Sequence, residues 1–460
     1  MRYILCLCLL FGLSYPMHGS IHVDGARFRT QDGRQILLRG INVGGDTKVP
    51  PFRSIRGDKD FAPLRGWGFN SVRLLFNWEA FEPQAGAYDW DYLNSYRQTV
   101  DWAAQHDLLV IVDIHQDAFS RFAVRGCGEG FPRWALPPFQ KAAVPDNGEA
   151  CKNWSVQMFL DISMHTAWHH FHRNTYGVRD RYLLMVQHLA QAVADAPNLV
   201  GFDLMNEPWG LEKSELPTLY HDAGRIVQTI IPGTVLFLSA HALTSTGLIA
   251  SQLPPIPLDN IVHSSHFYDP GLQTFQSWSA WTLQTTQGHW RKILQRWSSP
   301  LYLGEFGAPA HLPNAADYID AIYDLMDREL YSGAQWVYTP QWNAVTKDGW
   351  NQEDFSINDD QGRLRGTYRP RPFVEETPGD IVSMQWSETA KTLSLVYEPR
   401  VLPEEVKIVI PARLEWIGVE VKEGERSHQC EMENAHRLRC VRDQGPRLTQ
   451  RSLTFLFRAR

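Results

Sequence analysis

Eight short apolar runs, each followed by a longer stretch of helical character, constrain this 460-residue chain more than any other feature. They read ILLRGIN (36–42), SVRLLF (71–76), LLVIVDIH (108–115), LVGFDLMNE (199–207), TVLFLSA (234–240), IVHSSHFY (261–268), LYLGEFG (301–307) and AQWVYTPQW (334–342). A half-exposed strand alternates apolar and polar residues, whereas a nearly continuous apolar run suits a parallel strand covered on both faces. Between the runs, DYLNSYRQTVDWAAQH (91–106) and RDRYLLMVQHLAQAVAD (179–195) place apolar residues at helical spacing. Eight such units predict a closed (β/α)8 TIM barrel over residues 20–370. Ahead of the first run, IHVDGARFRTQDGR has turn residues at VDG and QDG and predicts a hairpin closing the bottom of the barrel.

The helical spacing stops near residue 370. RPRPFVEETPGD reads as a Pro-rich junction, and IVSMQW, TLSLVYE, EVKIVI, EWIGVEV, HRLRCVR and LTFLFR beyond it alternate as short strands. Residues 371–460 are therefore expected to form a small all-β sandwich domain. A hydrophobic content of 43% with 17 Trp is ample for both cores.

At the other end, residues 1–19 combine a short basic start, an apolar run and small or polar residues near Gly19 and Ser20. That pattern predicts a signal peptide and a secreted or periplasmic location, the apolar run being too short for the roughly 20 residues of a spanning helix. Its removal takes Cys6 and Cys8 and leaves Cys127, Cys151, Cys430 and Cys440, which allow three pairings. The local pairs, Cys127 with Cys151 and Cys430 with Cys440, each close a short loop and fit a staple on an excursion of the chain. A zinc site is disfavoured because close C-x-x-C spacing is absent. A net charge of -7 without any basic block argues against a nucleic-acid partner.

In a barrel of this kind catalytic groups come from the carboxyl ends of the strands. Polar residues collect there: Arg73, Asp113, His115, Asp117, Asn206, Glu207, His266, Tyr268, Glu305 and Trp342. One acidic strand end has bland explanations, such as a helix cap or an ion pair. Glu207 and Glu305, each ending an apolar strand and three strands apart, fit the paired carboxylates of retaining glycoside hydrolysis, which stand roughly 5 Å apart. One must be a protonated acid and the other an ionised nucleophile. A cation such as Arg73 beside Glu305 favours the charged form there, while burial and a negative neighbour favour the protonated form of Glu207.

The NEP at 206–208 and the GEFG at 304–307 resemble the two signatures of glycoside hydrolase family 5, part of a large clan of retaining barrel glycosidases, over roughly residues 30–345. Within that family INVGGDTK, VDIHQD, WHHFHRNTYGVRDRY, HFYDP and the terminal β domain look most like the endoglycoceramidase branch, which cleaves glycan from ceramide. The resemblance implies Glu207 as general acid/base and Glu305 as nucleophile. It places Asn206 on the sugar 2-hydroxyl, lets His266 and Tyr268 orient the carboxylates, and sets Arg73 under the nucleophile. It also implies that Lys48, His115 and Asp117 grip sugar hydroxyls and that Trp342 is the floor under the ring. No metal or other cofactor is implied.

Each supporting residue also has a plain structural reading: a satisfied core histidine at His115, a strand bridge at Arg73, a solvated loop lysine at Lys48, core packing at Trp342. His165 and His169 are four apart and share a helix face, but the implied chemistry needs no metal, and Trp168 of the same cluster is the better candidate to line the sugar site. The long excursion at 118–178, with FPRWALPPFQ, and LQTFQSWSAWTLQ (272–284) are expected either to build an apolar groove for lipid or to cover the barrel's own core. The expected partner is a glycolipid, met at a membrane or micelle surface by peripheral contact. Alternatives are a β-glucosidase or β-galactosidase on glucosylceramide, galactosylceramide or steryl glucoside, an endo-β-1,4-glucanase, and a non-catalytic glycan- or lipid-binding protein.

Overall fold

The computed structural model describes residues 21–145, 151–421, 428–442 and 450–460, so the leader expected at 1–19 lies outside the described residues. The eight apolar runs become eight parallel strands: β1 (Arg39–Val43), β2 (Ser71–Asn77), β3 (Leu109–His115), β4 (Leu199–Asp203), β5 (Val235–Ser239), β6 (Ile261–Phe267), β7 (Leu301–Phe306) and β8 (Ser332–Tyr338). They pair in chain order and close, β8 onto β1, as a barrel. Apart from Leu199 every strand residue is buried, which is why the runs do not alternate.

The helices outside start where the sequence supplies caps. The Asp89 side chain accepts from Tyr92 N at the head of Trp90–Gln105, and Ser279 caps Ala280–Trp297. Helix Glu215–Ile230 buries the stripe Leu216, Leu219, Tyr220, Ala223 and Val227. On its packed side a Cβ at Gly224 would stand 2.7 Å from Leu236 of β5, so glycine sets how closely the helix lies on the barrel.

Beyond the barrel come β9 (Phe373–Thr377), β10 (Gly379–Ser387), β11 (Thr392–Pro399), β12 (Glu405–Val409), β13 (Leu414–Val421), β14 (His428–Asn434), β15 (Arg437–Arg442) and β16 (Arg451–Ala459). One sheet runs β10-β11-β16-β13. The other begins with three short N-terminal strands, His22–Asp24, Arg27–Arg29 and Gln35–Ile36, and continues β9-β12-β15-β14. The two sheets enclose Ile381, Leu393, Leu395, Val406, Ile408, Leu438 and Phe455.

The hairpin does close the barrel's bottom: Ile21, Phe28, Ile36 and Leu38 pack with Leu109, Val200, Val235, Val262 and Tyr302, which start the barrel strands. It also pairs with β9, the first strand beyond the barrel, Gln35 with Thr377 and Ile36 with Glu376. The boundary at 370 is thus bridged by a shared sheet. The Pro-rich junction is itself a strand, because FVEET lies between Pro372 and Pro378 with every residue buried. Glu375 of that strand accepts from Arg65 Nη1 at 2.8 Å and Arg437 Nε at 2.9 Å, tying barrel to sandwich. Both local cysteine pairs form disulfides, Cys127–Cys151 and Cys430–Cys440.

Candidate active site

Arg73, expected at the carboxyl end of its strand, is the third residue of β2 and stands below that end; its side chain is fully buried inside the barrel and meets three carboxylates, at 2.8 Å from Asp113, 3.0 Å from Asp203 and 2.9 Å from Glu305. Its Nη1 also donates to Asn42 Oδ1 and its Nη2 to Asn206 Oδ1. A guanidinium suits this position because its planar fork serves several acceptors in fixed directions. Burial alone would lower its pKa, but Asp113, Asp203 and Glu305 outweigh that and raise it, so the charge is permanent.

Glu305 takes its second contact from the Tyr268 hydroxyl, which donates to Oε2 at 2.8 Å. Burial and the neighbouring Glu305 and Glu207 push the Tyr268 phenol far above its ordinary range and keep it a donor. The residue before Glu305 is Gly304 because a Cβ there would fall 2.7 Å from His266 Nε2 and 2.5 Å from Ser264 Oγ. Asn42 Nδ2 donates to the Gly304 carbonyl at 2.9 Å and holds β7 where its pairing with β6 shifts register.

Glu207 lies four residues past the end of β4, on a backbone with φ of 36°, a region that side-chain-bearing residues seldom occupy. Gln116 holds that strained peptide, its Nε2 donating to the carbonyls of Asn206 at 2.6 Å and Glu207 at 2.9 Å. His266 Nδ1 lies 2.9 Å from Glu207 Oε1 and 3.6 Å from Glu305 Oε2. One oxygen of each carboxylate and a nitrogen of His266 all fall within 4.8 Å of one another. Burial raises Glu207 above the ordinary glutamate range; the hydrogen bond and charge of His266 oppose that rise, and the charge of Glu305 adds to it. Burial would lower His266, but the charges of Glu305 and Glu207 and the hydrogen bond to Glu207 raise it.

A second cluster adjoins the pair. His115 Nδ1 is 2.6 Å from Asp113, and Asp113's charge overcomes burial to raise the imidazole to about 10. Lys48, only 2% exposed, is 2.6 Å from Asp117 and 3.7 Å from Glu353, and its ammonium lies over the rings of both Trp336 and Trp350. It is no solvated loop lysine. Glu129, fully buried beside His115, accepts from Asn77 Nδ2. Among the described residues two triads, Glu207 with His266 and Glu305 and His115 with Asp117 and Glu129, offer metal-ligand atoms at suitable spacing, and a cation of the protein stands beside each, Arg73 at Glu305 and Lys48 at Asp117.

Nine of the eleven residues expected at the site thus converge here: Lys48, Arg73, His115, Asp117, Asn206, Glu207, His266, Tyr268 and Glu305. Two do not. Trp168 is 2% exposed and packs among Phe119, Phe131, Phe171 and His172, the aromatic core of the 118–178 excursion. Trp342 lies beyond β8, its indole donating to Asp354 and covered by Arg365. The indole that faces the site belongs to Trp336, inside β8, stacked on His115 at 5.4 Å. Asn206 spends its carbonyl on Arg73 and its amide on Gln116 O, so its first task is to hold these neighbours. His165 packs its ring on Trp209 at 4.7 Å.

Asp203, Asn42, Gln116 and Trp336 are parts of the site that sequence reasoning passes over. The one signal for Asp203 was an acid inside an apolar run; Gln116 and Asn42 carry none.

Known proteins bear on this arrangement in three ways. The Cellulase (glycosyl hydrolase family 5) profile matches residues 30–342. Endoglycoceramidase I of Rhodococcus hoagii is 31% identical over 191 residues, 41% of this chain and 37% of that protein, and a glucosylceramidase of Aspergillus fumigatus is 34% identical over 141 residues, 25% and 18% of the two chains. The chain therefore spans well under half the length of these curated relatives. Among solved structures, endo-glycoceramidase II from Rhodococcus sp. in its ganglioside GM3 complex superimposes with a TM-score of 0.73 at 22% identity, covering 93% of this chain and 98% of that one, a likeness of fold. With two carboxylates meeting at the mouth of a barrel and a family match that embraces the barrel, the chain belongs to glycosyl hydrolase family 5.

Proposed function

We propose that the protein is a retaining β-glycosidase that cleaves the bond between sugar and ceramide in glycosphingolipids. The observation that carries the mechanism is the approach of Glu207 to Glu305 within 4.8 Å, the spacing of an acid and a nucleophile and too close for a water between them. Glu305, held by Arg73 and Tyr268, attacks the anomeric carbon while Glu207 gives its proton to the glycosidic oxygen. The carbon–oxygen bond breaks and the alcohol leaves. Glu207, now a carboxylate, takes a proton from water; the hydroxide so formed attacks the glycosyl ester and frees Glu305.

The choice of ceramide as aglycone is supported by kinship with an endoglycoceramidase and a glucosylceramidase, both named for ceramide glycosides. It is also supported by the rim of the barrel mouth. Val156, Leu160 and Ile162 of the excursion, Leu211 after β4, Leu248 and Ile249 after β5, and Phe275 and Trp281 after β6 are all exposed apolar side chains on the loops and helix ends that follow barrel strands. We infer peripheral contact of this rim with lipid; among the described residues no helix is long and apolar enough to cross a membrane. Export is part of the same proposal, supported by the two disulfides, which persist in oxidising compartments.

Incubation with gangliosides, glucosylceramide, galactosylceramide, steryl glucoside and soluble glucan tests the substrate class. Release of sugar from a ceramide glycoside is expected, and Glu305→Gln is expected to lower the rate roughly a thousandfold or more while glycolipid still binds. A variant as fast as the parent would end the assignment. For the rim, Leu160→Asp with Ile162→Asp is expected to weaken sedimentation with phosphatidylcholine vesicles carrying the glycolipid severalfold; unaltered sedimentation would refute the contact.

A further inference from the structure

Glu207 stands on a stretch of chain that no strand supports. Regular pairing of β4 ends at Asp203, and past it the carbonyls around the acid are held one by one. Those of Asn206 and Glu207 accept from Gln116 Nε2, that of Pro208 accepts from Ala242 N at 3.1 Å, and that of Trp209 lies 2.6 Å from His172 Nε2. A carbonyl only accepts, so this nitrogen of His172 carries the proton and donates. The strained φ of 36° at Glu207 persists only where the surroundings over-determine it, and the bonds to these four carbonyls help to do so.

Two of these clamps belong to opposite ends of the excursion. Gln116 stands just before it, and its Oε1 accepts from Phe119 N at 2.9 Å; His172 is the last residue of the helix Ile162–His172. Between them Trp168 meets Phe119 edge-on at 5.2 Å and stacks on His172 at 5.6 Å, so one aromatic core sets the distance from clamp to clamp. His172 is buried, and burial pushes its imidazole below the ordinary range, so it carries a single proton, on Nε2; its Nδ1 is buried with no hydrogen-bond partner in the protein. The peptide beyond Trp209 is shaped to the ring, since a Cβ at Gly210 would fall 2.4 Å from His172 Nε2. The same helix lays His165 on the Trp209 indole at 4.7 Å. The last histidine of WHHFHR (168–173) thus meets the loop that carries the acid.

We propose that His172 is a positioning residue for the acid: by holding the Trp209 carbonyl it keeps the Glu207 carboxyl aimed at the glycosidic oxygen, and together with Gln116 it makes the excursion a two-ended clamp on that loop. The inference rests on the glycosidase reading and deepens it. His172 grips the chain two residues past the acid and acts only through the loop. Its removal therefore weakens proton transfer and leaves Glu305, held by Arg73 and Tyr268, in place.

The dependence of rate on the leaving group tests this. Dinitrophenol departs without a proton whereas phenol needs one, so a misplaced acid costs more as the leaving group worsens. Across aryl β-glucosides and β-lactosides running from dinitrophenyl to phenyl, His172→Phe is expected to lower kcat/KM roughly thirtyfold for phenyl and less than about threefold for dinitrophenyl. His172→Gln, whose amide offers an N–H in the place of Nε2, is expected to recover most of that loss. Gly210→Ala, which pushes the ring from outside, is expected to show the same selective loss and serves as the probe should His172→Phe fail to fold. Equal losses at both ends of the series would show a merely structural role and overturn the proposal, as would unchanged rates or a Gln variant no better than Phe. Amide hydrogen exchange gives a reading that needs no turnover: peptides covering 205–210 are expected to exchange several times faster in His172→Phe than in the parent and His172→Gln, while the barrel strands keep the parent's rates. If the parent hydrolyses no glycoside, the glycosidase reading falls, and exchange at 205–210 still decides the clamp, an unchanged rate there ending it.

Discussion

His266 stands between two carboxylates, 2.9 Å from Glu207 and 3.6 Å from Glu305. Its hydrogen bond and charge restrain the rise that burial imposes on Glu207. The proposed mechanism needs Glu207 protonated, so activity is expected to fall as pH climbs through its raised pKa. His266→Phe removes the restraint, and the alkaline limb of kcat/KM is expected to move to higher pH while kcat falls about a hundredfold through lost positioning. A limb that stays in place or moves down, read from a pH–rate profile, would contradict this coupling. At this scale the two glutamates were legible because an acid at the end of an apolar strand has no reason to be there for packing. Asp203 was hidden because it reads as one polar residue in a buried strand, and Gln116 because an amide that clamps carbonyls has no sequence signature. Trp336 lost out to Trp342 since both indoles stand in one aromatic run, and only the strand's true end separates them.

Among the elements, all eight barrel strands were legible, as was the hairpin beneath them, because burial on both faces erases alternation in a way few other structures do. Their ends were less so. The fourth apolar run continues through Met205, yet the ladder stops at Asp203, and the residues up to Glu207 leave regular pairing to carry the acid into the mouth. Apolarity reports burial and says nothing of hydrogen bonding, so a buried irregular segment reads as strand. The junction failed in the opposite direction: prolines at both sides of FVEET suggested a linker, but proline is tolerated beside a strand, and the five residues between pair on both edges. The excursion after β3 divides as its aromatics do. Phe119, Phe131, Trp168 and Phe171 form its own core, and Val156, Leu160 and Ile162 face out.

For the whole molecule, the barrel and the sandwich are held by buried charge as well as by the shared sheet. Glu375 joins Arg65 of the barrel to Arg437 of the sandwich, and Arg437 also reaches Asp107 at 2.7 Å. Removing one member of such a group leaves cations buried with too few partners, at a cost of about 3 kcal/mol. Glu375→Ala is therefore expected to lower the thermal midpoint by several degrees while the distant active-site geometry stays intact; an unchanged midpoint in calorimetry would show the tie to be idle. That tie was not visible in the sequence, since nothing in a string of residues says which distant charges will meet.

The pairing of Gln35 with Thr377 has a consequence in time. A ribosome delivers the hairpin early and its partner strand late, so for on the order of tens of seconds the young polypeptide carries an unmatched edge beneath a half-built barrel. Maturation can finish only after the strand Phe373–Thr377 has been made.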